Sequence, residues 1–244
     1  MASPAAGIRA RSRRRDNRPV LPSPNFGERR GQARPELIVI HYTGMQSCAA
    51  ARARLCDPTA EVSAHWLLAE DGRAEALVPE AARAWHAGVG SWQGRDDVNS
   101  RSIGIELANP GDRPFPEPQM AALETLLGGI MTRWGIGPEG VIGHSDMAPD
   151  RKIDPGPRFD WRRLARGGLA VWPAPGAEAT PSEEVFAALA RAFGYPEAPP
   201  AVLLAAFRLR FRPRHDGPLD GIDMALVADL AARFGADGDS WRSA

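Results

Sequence analysis

Cysteine, net charge and long apolar runs are all scarce in this chain, and each scarcity excludes something. There are two cysteines, Cys48 and Cys56, in 244 residues. On a helix an offset of eight puts them about 12 Å apart along the axis, beyond disulfide reach, and the spacing does not suit a zinc finger. They read as small apolar residues. The 30 basic and 30 acidic residues cancel to a formal charge of +0, which speaks against a nucleic-acid binder working through a broad basic face. No run approaches the roughly 20 apolar residues of a membrane span. Near the start Val20-Leu21 is cut short by Pro22, so no signal-peptide core forms, and no lipoprotein cysteine follows. The expectation is a cytoplasmic protein without a membrane span, or a periplasmic one if the start site is misassigned.

What is present is a globular composition, with 43% hydrophobic and 25% charged residues, enough for a buried core. The charge is unevenly placed. Residues 1–34 carry the arginines 9, 11, 13, 14, 15, 18, 29, 30 and 34 against only Asp16 and Glu28. A short, Pro-rich basic segment of this kind reads first as a solvated, disordered tail over residues 1–22, and second as a contact for an anionic surface.

Beyond the tail the patterning changes. Leu37–Ile40 is a short continuous apolar run, as expected of a strand buried on both faces. Ser47 to Leu55 is helix-prone. Ser63–Leu68 and Ala76–Val78 flank Asp71-Gly72 and read as two strands joined by a turn. Ser102–Leu107 and Val141–Gly143 are further strands. Between them Met120, Leu123, Leu126, Leu127, Ile130, Met131 and Trp134 recur at three and four, one apolar stripe of a helix that ends at Gly135 and Gly137. Strands separated by helices give an α/β fold, a central mixed β-sheet flanked by helices. A Pro/Ala-rich linker over 173–181 leads to three helical stretches, 182–193, 201–211 and 222–234, a small three-helix domain. Ser182 suits the N-cap of the first.

Several side chains in this framework carry chemistry. His41 follows Leu37–Ile40 and His144 follows Val141–Gly143, so both lie at strand carboxyl ends, where open α/β sheets place ligands. Asp154 sits in a proline-stiffened loop. Two imidazoles and one carboxylate leave a fourth tetrahedral position for solvent, the pattern of catalytic zinc. Taken singly, each histidine reads more often as a satisfied structural residue. Glu106 ends the strand Ile103–Ile105, where a carboxylate needs a partner or a task, such as general base. Lys152, two residues before Asp154, is placed to stabilise an oxyanion or, more plainly, to pair with Asp150 or Asp146. His65, mid-strand, reads as structural. His86, in Trp85-His86-Ala87-Gly88, reads either as groove lining or as hydrogen-bonded scaffold.

Six blocks occur in order: residues 37–43, 62–65, 84–88, 102–107, 143–149 and 152–161. Together they resemble the N-acetylmuramoyl-L-alanine amidase type 2 family of zinc amidases, related to peptidoglycan recognition proteins. The resemblance spans about residues 23–172. It implies one Zn²⁺ per chain held by His41, His144 and Asp154, catalytic roles for Glu106 and Lys152, and substrate contacts at His86 and Asn99. The implied activity is hydrolysis of the amide between N-acetylmuramic or 1,6-anhydro-N-acetylmuramic acid and L-alanine, with peptidoglycan or an anhydromuropeptide as partner. The other possibility is a peptidoglycan-recognition module that binds without cutting. Residues 182–244 resemble a helical peptidoglycan-binding domain.

Overall fold

The computed structural model describes residues 22–174 and 176–235. The basic tail, up to residue 21, and Pro175 of the linker lie outside them. In chain order the first elements are β1 (Phe26–Gly27), β2 (Leu37–Tyr42), α1 (Cys48–Cys56), β3 (Trp66–Leu68), β4 (Ala74–Ala76) and β5 (Arg83–Ala84). There follow α2 (Val98–Arg101), β6 (Ser102–Leu107), α3 (Glu117–Trp134), β7 (Val141–Gly143), α4 (His144–Met147) and α5 (Trp161–Arg166). Helices α6 (Glu183–Phe193), α7 (Pro200–Phe211) and α8 (Gly221–Phe234) complete the order. Among the described residues no helix is long and apolar enough to cross a membrane.

The main sheet has the order β4-β3-β6-β2-β7. Strand β2 pairs in parallel with both β6 and β7, β3 is parallel to β6, and β4 runs antiparallel to β3. The sheet is therefore mixed. The continuous apolar run of β2 serves two cores, because successive side chains point to opposite faces. Ile38 and Ile40 face α3 and α5, joining Ile103, Ile105, Leu123, Leu127, Trp161 and Leu164. Leu37 and Val39 face the other way, joining Trp92, Ile142 and Met147.

That second core continues across the linker. Phe186, Phe193, Leu203, Phe207, Phe211, Val227 and Leu230 from α6, α7 and α8 belong to the same apolar cluster as Leu37 and Val39. Each phenylalanine buried there contributes about 1.5–3 kcal/mol relative to exposure. Ser182 caps α6 by accepting a hydrogen bond from the Val185 amide, as its residue type suggests. The chain does run without regular structure between α5 and α6, but the helices beyond it form a layer of the sheet's own sandwich.

A buried ion pair fastens that layer. Arg210 of α7 donates to Asp146 of α4 at 2.7 Å, with both side chains 1% exposed. Asp146 also accepts from the Tyr195 hydroxyl at 2.7 Å and from the Gly143 amide at 2.8 Å. Arg210 donates further to the Val141 carbonyl, and its guanidinium lies 4.2 Å from the Trp161 ring centre. Every partner that desolvation demands of this carboxylate comes from the helical layer or from the turn that carries His144.

Two expectations are adjusted. The strand expected from Ser63 begins only at Trp66, because the Ser63 amide bonds the Trp85 carbonyl, away from the main sheet. Arg29, counted by sequence among the basic residues of 1–34, turns inward and donates to the carbonyls of Ser100, Ser102 and Glu80. Among the described residues neither cysteine forms a disulfide.

Removing one member of a buried pair leaves an uncompensated charge, which costs about 3–5 kcal/mol. Arg210→Met is expected to lose stability on that order in urea unfolding; a loss below 1 kcal/mol would show that Asp146 does not depend on it.

Candidate active site

Parallel pairing at the centre of the sheet assembles the candidate residues. His41 and Glu106 are direct register partners across β2 and β6, so their side chains leave the same face side by side. On the other flank Ile40 pairs with Gly143, which puts His144, the first residue of α4, beside His41. Asp154 arrives by a fold-back of the loop after α4. The Lys152 amide bonds the Ala148 carbonyl, and the Ser145 amide bonds the Asp154 carbonyl at 2.9 Å. The Asp154–Pro155 peptide is cis.

Three atoms converge. His41 Nδ1 lies 2.9 Å from His144 Nδ1 and 2.9 Å from Asp154 Oδ2, and His144 Nδ1 lies 3.0 Å from the same oxygen. All three residues are buried. Burial and the neighbouring His144 push the His41 imidazole down to about 4, so it is neutral near pH 7. His144 Nε2 faces the Ala87 carbonyl at 2.9 Å. A carbonyl only accepts, so Nε2 carries the proton and a neutral ring presents a bare lone pair at Nδ1. Two imidazole nitrogens and a carboxylate oxygen crowded within about 3 Å form a donor set that suits a cation, and N/N/O is a set zinc accepts.

Glu106 stands next to this centre. Its Oε2 is buried without a hydrogen-bond partner. Burial, and then the nearby Asp154 charge, raise its carboxyl to about 8, with Lys152 pulling the other way. A carboxylate that is hard to ionise and has no partner is poised to hold a proton. Lys152 is half-buried and lines the same cavity of about 220 Å³ with His41, Glu106, His144 and Asp154. Helix α1 supplies the opposite wall through Ala51, Arg54 and Leu55.

Lys152 is also the chain's one lysine, every other cation among the 30 basic residues being an arginine. Composition, not spacing, carries that signal. It points to a need for a compact, rotatable ammonium, which arginine cannot supply.

The structure brings six of the seven sequence-selected residues, all but Asn99, to one cavity, five of them with side chains free to serve it. The other two are engaged inside the protein. His86 also borders the cavity, but its Nδ1 lies 3.1 Å from His41 Nε2 and its Nε2 lies 3.2 Å from Ser102 Oγ. The Asn99 side chain is buried and accepts from the amides of His86 and Ala87 at 3.0 and 2.8 Å. His65 is structural: its Nδ1 accepts from the Gly104 amide and its Nε2 donates to the Ala82 carbonyl. Among the described residues one other group, His215, Asp220 and Asp223, could converge on a metal, but its carboxylates already pair with Arg208 and Arg212.

Comparison with known proteins agrees with this geometry. The family model described as N-acetylmuramoyl-L-alanine amidase matches residues 31–157. The chain belongs to this amidase family. It is 35% identical over 238 residues to N-acetylmuramoyl-L-alanine amidase AmiD of Escherichia coli, covering 84% of this chain and 85% of that protein. That share is too large to end before the helices beyond residue 181. It is 36% identical over 161 residues to 1,6-anhydro-N-acetylmuramyl-L-alanine amidase AmpD of Citrobacter freundii, covering 59% of this chain and 86% of that one. Among solved structures, the E. coli AmiD complex with anhydro-N-acetylmuramic acid-L-Ala-D-gamma-Glu-L-Lys superposes with a TM-score of 0.76 at 31% identity, covering 86% and 98% of the two chains. AmpDH3 of Pseudomonas aeruginosa, in complex with anhydromuramic pentapeptide, gives 0.76 at 29% identity, covering 95% and 100%. The mixed sheet with its helical C-terminal region is thus the architecture of an amidase of this family.

Two expectations come from the electrostatics. If Glu106 acts as a base, only its ionised form works, so activity rises with pH through its pKa. Burial sets that value near 8, and a cation beside it draws it back toward 4.5. The acidic limb of the rate–pH profile is expected between those values and should vanish in Glu106→Gln, with activity falling about 10²–10⁴-fold. Unchanged activity in Glu106→Gln would demote it to scaffold. Lys152→Arg, although it keeps the charge, should lose about 10²–10³ in kcat; wild-type turnover would show that charge alone suffices.

Proposed function

We propose that this amidase is a zinc enzyme that hydrolyses the bond between the lactyl carbonyl of N-acetylmuramic or 1,6-anhydro-N-acetylmuramic acid and the amine of L-alanine, in peptidoglycan or its fragments. One observation carries the reading: the three mutually facing ligand atoms of His41, His144 and Asp154 lie in one cavity with a buried, unpartnered carboxylate oxygen of Glu106. A peptidoglycan-recognition module that only binds would have no use for that oxygen.

His41, His144 and Asp154 would hold the ion, which supplies Lewis acidity for the carbonyl and acidifies water when bound. Glu106 Oε2 takes a proton from the water that adds to the lactyl carbonyl carbon. Lys152 lends its ammonium to the negative charge that grows on the carbonyl oxygen. Glu106 then returns its proton to the alanine nitrogen as the C–N bond breaks. The products are a lactyl carboxylate and a free peptide amine. The low-dielectric wall around Glu106 favours the protonated intermediate state that this shuttle requires.

The division into a catalytic part over 23–172 and a helical part over 182–244 is a proposal of the same kind. Its support is asymmetric: α6, α7 and α8 spend their apolar faces on the sheet, which makes them a wall of the catalytic body first. Glycan binding by their outer surface is compatible with that role.

Incubation with a purified anhydromuropeptide is expected to release a peptide whose new amino terminus is L-alanine, detected by mass spectrometry. A strong chelator should abolish the reaction and zinc should restore it. Full turnover by a sample shown to be metal-free, or cleavage at any other bond, would overturn the assignment.

A further inference from the structure

The proton positions behind the metal ligands follow from one carbonyl. Ser102 Oγ lies 2.5 Å from the Val98 carbonyl oxygen. That oxygen can only accept, so the hydroxyl spends its single proton there. Toward His86 Nε2, 3.2 Å away, Ser102 Oγ then offers a lone pair, and Nε2 must carry the hydrogen. The His86 ring packs edge-on against those of His41 and His65, with centroids 5.2 and 5.7 Å away, and a neutral imidazole there has one proton to place. Its one proton is on Nε2, so its Nδ1 is bare. The contact of 3.1 Å with His41 Nε2 therefore has only one sense: His41 donates. His41 in turn has no proton left for Nδ1, the atom that faces His144 and Asp154.

The same short segment fixes the other imidazole. The carbonyl of Ala87, the next residue, receives the proton of His144 Nε2 at 2.9 Å. The backbone of this dipeptide is itself clamped, since Asn99 Oδ1 accepts both the His86 and the Ala87 amides. The His86 ring has a place cut for it. A Cβ on Gly104 would come within 2.4 Å of the ring, so only glycine at that point of β6 admits it.

We propose that the His86–Ala87 dipeptide, clamped by Asn99 and oriented through Ser102, is the positioning element that sets the tautomers of both ligand imidazoles, so that His41 and His144 each turn an unprotonated Nδ1 toward the metal. The proposal rests on His41, His144 and Asp154 being the zinc ligands. It gives His86 and Asn99 work behind the metal in place of contact with substrate. Hydrogen bonds that orient ligand imidazoles typically account for about 10–100-fold in metal affinity.

The test has two readouts besides activity. Zinc affinity, measured by competition with a chromogenic chelator, should weaken about 10–100-fold in His86→Leu and in Ser102→Ala. His86→Gln, whose amide can accept from His41 and donate to Ser102, should recover most of that loss. Nitrogen-15 correlation spectra of the full chain should show His86 as the Nε2–H tautomer with an unprotonated Nδ1, with and without zinc. Ser102→Ala should lose that preference while its thermal unfolding stays close to wild type. Wild-type zinc affinity in His86→Leu, or a His86 resonance of the Nδ1–H tautomer, would overturn the proposal. Failure of the wild-type protein to bind zinc would instead sink the metal assignment, and the His86 spectrum would still decide the relay.

Discussion

Everything in the site depends on the register of one strand. Because β2 is paired in parallel on both sides, its carboxyl end lies between those of β6 and β7, and the residues there have no choice of neighbour. His41 is held between Glu106 and His144 by backbone hydrogen bonds. A slip of one residue would turn His41 to the opposite face, where Ile38 and Ile40 now pack against α3 and α5. The burial of β2 on both faces makes such a slip prohibitive, so the same apolar run that builds the core fixes the chemistry.

A site that gathers like-natured lone pairs needs support from behind, and the support is almost all polar. His144 is steadied by the Ala87 carbonyl, and the turn that begins with it is tied down by Asp146. Asp146 in turn relies on Tyr195 and Arg210 from beyond the linker. The helical region is therefore coupled to the site twice, through the apolar core under β2 and through an ion pair two residues from His144. A separate module on a flexible tether would share neither.

The sequence carried much of this. Apolar period and run length placed β2, β6, β7, α3 and the three last helices within a few residues, since each of those segments buries a full face and leaves a clear pattern. The residue types at three strand ends and one stiff loop were enough to nominate His41, Glu106, His144 and Asp154. Lys152 was nominated by its place two residues before Asp154, while its being the one lysine in a chain of arginines is a signal of composition that spacing does not carry. The short strands β1 and β5 left no such trace, because two residues show no period.

What the amino-acid order determined by itself was therefore the inventory: which segments are buried on both faces, and which titratable groups sit at their ends. Tertiary structure decided the partners. That His86 meets another histidine, that Asn99 clamps a backbone segment, and that the last helices pack on the sheet are all matters of contact between residues distant in the chain. Local pattern is blind to these, because a hydrogen bond or a packed ring depends on three-dimensional distance and direction, while periodicity records only burial.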